Sequence, residues 1–303
     1  MSSLRIFILC HNRPDEARNA ILSVLAQTSP HYHLVISDNS TDNRVEQMIR
    51  HEFPSLNYVR RVPSVPALEH FNRCLEETAD THVCLFHDDD VLAPDFVETI
   101  KSSIDKYPDA IAIGCNARLD VLGKLQDSPS FLSLHDVEVI TSPRDLARRY
   151  FSRHQSGIAP FPGYVYHRQR IGSTRFVPSE GKYSDVAWLL RLSEIGLLVW
   201  VRRPLMTYRI HGDNDGLQES RIDRLHFLAF LKRCRDSLGH EIIEDYRCSF
   251  IYKPLAQTRS SKHLQRIRLA IQFLRFYSWR RYLRPSTYCA ALKRSVVRRW
   301  GRT

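Results

Sequence analysis

No strand candidate of this 303-residue chain is followed by Gly-x-Gly-x-x-Gly, and no Walker-type glycine loop occurs. A standard dinucleotide or P-loop site, in which glycine backbone cradles the phosphates, is thereby excluded. An uninterrupted apolar run of transmembrane length is also missing, and the N-terminus offers only the strand-sized Leu4–Cys10. The chain is expected to be neither exported nor membrane-spanning. Seven cysteines, at 10, 74, 84, 115, 234, 248 and 289, form no Cys-x-x-Cys pair. An odd, scattered set fits reduced thiols in the cytoplasm. Finally, acid is absent from Lys253 to Thr303, which holds fourteen Lys or Arg. Removing these from the total of 44 leaves residues 1–252 with 30 basic against 33 acidic side chains, although the whole chain carries +11. The basic surface therefore belongs to the tail.

What is present alternates. Leu4–Cys10 reads as a buried strand, and Asn12-Arg-Pro-Asp-Glu16 supplies capping, proline and first-turn acid for a helix to about Gln27. Strands over His33–Ser37, Leu56–Val62 and His82–His87 alternate with helices over Asn43–His51 and Ala67–Thr78. A helix over Pro94–Tyr107 and an apolar stretch over Ala110–Cys115 complete five strand candidates and four helices. That order argues for an α/β fold with a mostly parallel, doubly wound sheet. Ligands of such sheets bind beyond the carboxyl ends of the strands. Three polar clusters fall there: Cys10-His-Asn-Arg13, Ser37-Asp-Asn-Ser40 and His87-Asp-Asp-Asp90.

The last cluster organises the rest. An apolar strand ends in Asp88, Asp89 and Asp90, which repel one another unless a cation or donor-rich ligand sits among them. Hard oxygen ligands suit Mg2+ or Mn2+. The alternative is a solvated turn in which Asp90 or a neighbour caps the helix opened by Pro94.

Together these segments carry a resemblance. Cys10-His-Asn-Arg-Pro14, Val35-Ile-Ser-Asp-Asn-Ser-Thr-Asp42 and Phe86-His-Asp-Asp-Asp-Val-Leu-Ala-Pro-Asp95, in that order and spacing, resemble the family 2 glycosyltransferases of GT-A fold. Tyr183-Ser-Asp-Val-Ala-Trp-Leu-Leu-Arg-Leu192 is similar to the family's catalytic-carboxylate segment, and Tyr208-Arg-Ile-His-Gly-Asp-Asn214 to its C-terminal histidine motif. The resemblance spans about residues 4–216. It implies a GT-A catalytic domain over 1–217, with a nucleotide-binding half (1–118) and an acceptor half (119–217). A helical, basic C-terminal region then covers 218–303.

The resemblance also assigns roles. Asp38 matches the acid that recognises the donor's base, with Asn12 and Arg13 lining the same pocket. Asp88 is expected at the ribose, Asp90 at a metal bridging the diphosphate, and Asp89 between them. His211 corresponds to a histidine that closes over the metal or diphosphate. For the phosphates, Arg60, Arg61 or Arg73 are the available arginines. Asp185 is the candidate general base. Its neighbourhood supports this independently, since Ala187, Trp188, Leu189, Leu190 and Leu192 seat a helix whose N-terminus leaves Asp185 facing the cleft. Capping of that helix by Ser184 or Asp185 is the alternative, and the two roles are compatible. The glycine and small polar residues of Pro178–Tyr183 read as a mobile acceptor wall. Two departures stand out: His87 precedes the acids where an acid or apolar residue is usual, and Ser184 replaces an acid before Asp185.

The expected activity is inverting transfer of a sugar from a nucleotide-diphospho-sugar to a hydroxyl of a saccharide or lipid-linked acceptor, in surface-glycan synthesis. In the tail, Leu264, Ile267, Ile271 and Leu274 repeat at helical spacing among arginines and aromatics. Such a face suits an anionic membrane surface at the inner side of the cytoplasmic membrane, or packing onto the catalytic domain. Three other readings remain at this stage. A nucleic-acid-binding protein lacks its signature motifs, and the acidic sheet edge would repel a polyanion. A nucleotide-sugar-binding scaffold without turnover and a nucleotidyltransferase share the expected site.

Overall fold

The computed structural model describes residues 2–129, 133, 135–151, 161–210, 220–247, 267, 268 and 271. Strands β1 (Leu4–Cys10), β2 (His33–Asp38), β3 (Asn57–Arg60) and β4 (His82–His87) alternate with helices α1 (Pro14–Leu25), α2 (Arg44–Glu52) and α3 (Ala67–Glu77). They form the parallel run β3-β2-β1-β4. Every second residue of β1 goes to a different core. Leu4, Ile6, Ile8 and Cys10 join one buried cluster, and Phe7 and Leu9 the other. A strand apolar on both faces must be covered on both, and this one is also flanked by β2 and β4.

The second half of the sheet departs from the simple alternation. After β5 (Val91–Leu92) and α4 (Phe96–Lys106), strand β6 runs from Ala110 to Val121 and turns through Leu122 and Gly123 into β7 (Lys124–Pro129). Both turn residues have positive φ, 52° and 80°. β6 and β7 thus form a hairpin. β8 (Val137–Ile140), α5 (Pro143–Phe151), β9 (Tyr164–His167), α6 (Arg168–Ile171), α7 (Ser184–Ile195) and β10 (Leu197–Ile210) follow. β6 does not adjoin β4: the short β9 lies antiparallel between them, pairing Tyr166 with both Val83 and Ala112. Gly114 permits that approach, since a Cβ there would fall 2.4 Å from the Tyr164 ring. The full order is β3-β2-β1-β4-β9-β6-β10-β5.

β10 connects distant parts of the molecule. It leaves α7, runs parallel to β6 with register shifts around Pro204, and reaches β5 through Met206 and Thr207. α8 (Arg221–Arg233) opens with a capping box between Ser220 and Asp223, and α9 (Arg235–Leu238) follows it. Phe227, Phe230, Leu231 and Leu238 bury in the same cluster as Trp188 and Leu85. Residues on either side of position 217 thus share one buried cluster. Most of the basic tail lies outside the described residues, and among those described no helix is long and apolar enough to cross a membrane.

Candidate active site

Three loops meet at the carboxyl edge of the parallel run, where β1, β2 and β4 end. The first turns through Asn12, whose φ of 58° lies in the left-handed region. Asn12 does not cap α1; Arg13 holds the N-cap position without a side-chain cap bond, and Pro14 follows. The Asn12 side chain instead ties the first loop to the second, its Oδ1 accepting from Thr41 N at 2.9 Å. Asn12 N donates to Ser40 Oγ at 2.8 Å. Asn12 and Arg13 thus stand where the first loop faces the acids.

Those acids divide into two sets. Asp88 is fully buried and turned toward the first loop, accepting from His11 N at 2.9 Å and from Arg13 Nη2 at 2.5 Å. Burial raises its pKa to about 7, with Arg13 pulling the other way. The other guanidinium nitrogen, Arg13 Nη1, donates to Asp89 Oδ2 at 2.7 Å. Asp89 and Asp90 then gather with His87, with one ligand atom from each lying within 4.8 Å of the others. Asp90 Oδ1 accepts from Arg209 N at 3.0 Å. Its Oδ2 is buried and has no hydrogen-bond partner, and burial followed by the Asp89 charge holds its pKa well above the ordinary carboxylate range. A buried carboxylate oxygen without a donor is costly unless something else satisfies it. The donor set of two carboxylates and an imidazole fits a divalent cation, Mn2+ or Mg2+.

His87 was noted in the sequence only as a departure from the usual pattern. Its position beside the acids was the available signal. The expected histidine, His211, lies outside the described residues. Arg60, Arg61 and Arg73 pair with other acids: Arg60 with Glu46 and, at 3.6 Å, with Asp38, Arg61 with Glu77, Arg73 with Glu69. Arg13 pairs with Asp88 and Asp89 of the triplet.

Asp38 ends β2 fully buried. Its Oδ1 accepts from Ser40 N at 2.9 Å and its Oδ2 from the Tyr58 hydroxyl at 2.7 Å. Tyr58 sits in the middle of β3, and no sequence signal singled it out. Beside Asp38, Ser37 Oγ meets His70 Nε2 at 2.7 Å and receives Arg61 Nη2 at 3.0 Å. Burial, then the Arg61 charge, lowers His70 to about 3, which keeps the imidazole neutral at pH 7.

Asp185 occupies the first turn of α7, and its Oδ1 accepts from Val186 N at 2.8 Å. It keeps partial exposure yet is closely surrounded, and burial raises its pKa to about 6. A chain of rings joins this helix to the acidic edge. His87 lies 5.7 Å from Phe161, Phe161 5.3 Å from Phe176, and Phe176 stacks 4.5 Å from Trp188 of α7. The preceding Pro178–Tyr183, expected to be mobile, is a 3-10 segment pinned from two sides. Glu180 is buried and paired with Arg191, and Gly181 lies against Asp223 of α8.

A mixed α/β sheet, parallel in its first half and carrying a carboxylate cluster at its carboxyl edge, is the GT-A architecture. Residues 5–144 match the model of Glycosyl transferase family 2. Among solved structures, the chain is similar to S. aureus TarS 1-349 in complex with UDP-GlcNAc. The TM-score is 0.63 at 12% identity, over 96% of this chain and 88% of that one. The complex of the same fragment with UDP gives 0.62 and 12%, over 96% and 87%. Against a longer TarS structure the TM-score is 0.60 at 12% identity, and this chain spans about half of it, 53%. At such identity the likeness is one of fold. None of the curated proteins matches the sequence.

Proposed function

We propose that the protein transfers a sugar from a nucleotide-diphospho-sugar to an acceptor hydroxyl with inversion of configuration. The observation that carries this reading is the orphaned Asp90 Oδ2 beside His87 and Asp89, at the ligand-binding edge of the part that matches family 2. The TarS fragment of the same fold was solved with UDP and with UDP-GlcNAc, which supports a nucleotide-sugar as the donor here. His87, Asp89 and Asp90 would hold Mn2+ or Mg2+. When bound, such an ion neutralises charge developing on the leaving diphosphate. An imidazole in the ligand set favours Mn2+ over Mg2+.

The chain's own residues do the rest. Asn12, Arg13, Asp38, Asp88 and Asp89 shape the donor cleft from the three loops. Asp185 accepts the proton of the acceptor hydroxyl. A pKa near 6 makes it a stronger base than an ordinary carboxylate while leaving it mostly ionised at neutral pH. One in-line displacement gives inversion. The acceptor is a saccharide or lipid-linked saccharide, and the basic tail binds an anionic membrane surface beside it. Because α8 shares the core of α7, the catalytic unit extends beyond residue 217 to include it.

The decisive experiment is a calorimetric panel of UDP, GDP, dTDP and CDP, with and without Mn2+, on wild type and Asp90→Ala. Selective, Mn2+-dependent binding that disappears in Asp90→Ala is expected. No binding by folded wild-type protein would reduce the acidic triplet to a structural turn. Release of pyrophosphate in place of a nucleoside diphosphate would indicate a nucleotidyltransferase. For the tail, flotation with anionic vesicles is expected to be lost when residues 253–303 are removed, and unchanged flotation would refute the membrane role.

A further inference from the structure

We infer that Arg13 is an internal counter-ion that one arm of its guanidinium surrenders: Nη1 leaves Asp89 for the donor's diphosphate when a divalent cation binds, while Nη2 stays on Asp88. The inference rests on the metal site proposed above. It adds an order of events, and a second anion contact, that the site itself does not require.

The geometry separates the two arms. Nη2 lies 2.5 Å from Oδ1 of Asp88, which is fully buried and also receives His11 N. Nη1 lies 2.7 Å from Oδ2 of Asp89, one of the three residues that converge on the candidate cation position. One residue of the cation set is therefore shared with Arg13, and the other acid that Arg13 holds is not in that set. A divalent ion among His87, Asp89 and Asp90 repels a guanidinium seated on one of its own ligands. It exerts less force on the arm at Asp88, whose carboxylate lies outside the cluster and is buried against the first loop.

Arg13 also has somewhere to go. Its side chain is about one-third exposed, at 33%, while Asp88 and Asp89 beneath it show 0% and 9%. Arg13 is thus the more exposed partner of both pairs. Its planar fork can serve a carboxylate with one nitrogen and a phosphate with another. Before the cation arrives, Arg13 offsets charge on two crowded acids. Afterwards the cation takes over Asp89, and the released nitrogen meets the diphosphate that the cation draws in. Binding of cation and of diphosphate is then positively coupled through one side chain, and such coupling is reciprocal.

The test measures Mn2+ and UDP binding by calorimetry on the full chain, comparing wild type with Arg13→Gln. Mn2+ alone is expected to bind Arg13→Gln at least tenfold more tightly, because the competitor for Asp89 is gone. In saturating Mn2+, UDP is expected to bind the same variant at least tenfold more weakly, because the transferred contact is gone. Opposite signs for the two ligands distinguish a handover from simple damage to the site, which weakens both. Arg13→Gln leaves Asp88 buried without its charge partner, so Arg13→Gln/Asp88→Asn, which removes both charges, is measured beside it and is expected to show the same tighter Mn2+ binding. Equal Mn2+ affinity in wild type and both variants, or loss of both ligands together in folded variants, overturns the handover and leaves the metal site standing. Absence of Mn2+ binding from all three proteins, with or without UDP, overturns the metal site itself.

Discussion

The strands on either side of β1 each lead into a fully buried aspartate, and the two differ in one oxygen. Asp38, at the end of β2, has a donor for each: Ser40 N and the Tyr58 hydroxyl. Asp90, just past β4, has Arg209 N for one and nothing for the other. Burial alone therefore does not mark a ligand site in this sheet edge. What separates Asp90 from Asp38 is an incomplete hydrogen-bond inventory next to two further potential ligand residues, His87 and Asp89, since other unpartnered carboxylate oxygens, such as Glu180 Oε2, have no such cluster beside them among the described residues.

The comparison can be tested at several sizes of effect. Asp185 is the carboxylate on the α7 side, and Asp185→Asn is expected to lower the transfer rate roughly 10²- to 10⁴-fold, the usual worth of a positioned general base. UDP affinity should stay within about twofold, and a parallel loss of donor binding would remove Asp185 from the role of base. Next in size, Asp90→Asn should weaken Mn2+ binding about 100-fold or more with little loss of stability, since a neutral amide is easier to bury than a carboxylate. Asp38→Asn is expected to do the reverse, leaving Mn2+ affinity intact and lowering the unfolding free energy by about 1–3 kcal/mol. If denaturant titration and calorimetry exchange these outcomes, the distinction between the two acids fails. Tyr58→Phe, which strips one donor from Asp38, should cost on the order of 1–2 kcal/mol in the same titration.

The smallest effect is a pH signature. With its pKa raised from 3.8 to about 6 in the folded protein, Asp185 binds more protons folded than unfolded between those values. Its contribution to stability is greatest below about pH 4 and is lost as pH rises through 6. Asp185→Asn should therefore melt a few degrees above wild type at pH 7 and level with it near pH 4. A difference independent of pH would assign the effect to packing.

Much of the alternating β1–α4 part was legible because its signals are local. Continuous apolar strands, Pro14 at the start of α1 and polar residues at strand ends need only neighbours in sequence. The inserted β9 was not legible in its place, since its partners, Val83 and Ala112, are distant in sequence and Tyr164–His167 carries no mark of which strands it will join. The triplet was readable as a unit, but not its division, which depends on a turn that directs Asp88 to the first loop and Asp89 and Asp90 to His87. Tyr58 was invisible for a related reason. Its hydroxyl matters only because β3 pairs with β2 in the register that sets Tyr58 beside Ile36, close to Asp38. α8 falls in the region expected to be helical and basic, yet only packing shows that Phe227, Phe230 and Leu231 join the core around Trp188 of α7.

β10 has a consequence of a mechanical kind. It begins directly after the helix that bears Asp185 and ends by handing Arg209 N to Asp90, so a single fourteen-residue strand ties the two sides of the cleft together. Its register against β6 shifts between Leu197 and Leu198 and again on both sides of Pro204, so the tie is uneven there. The span between Asp185 and Asp90 is thus set by the strand's path as well as by the residues at its ends. Selection for a longer or shorter acceptor could act on the joint at Pro204, changing reach while every reacting group keeps its identity.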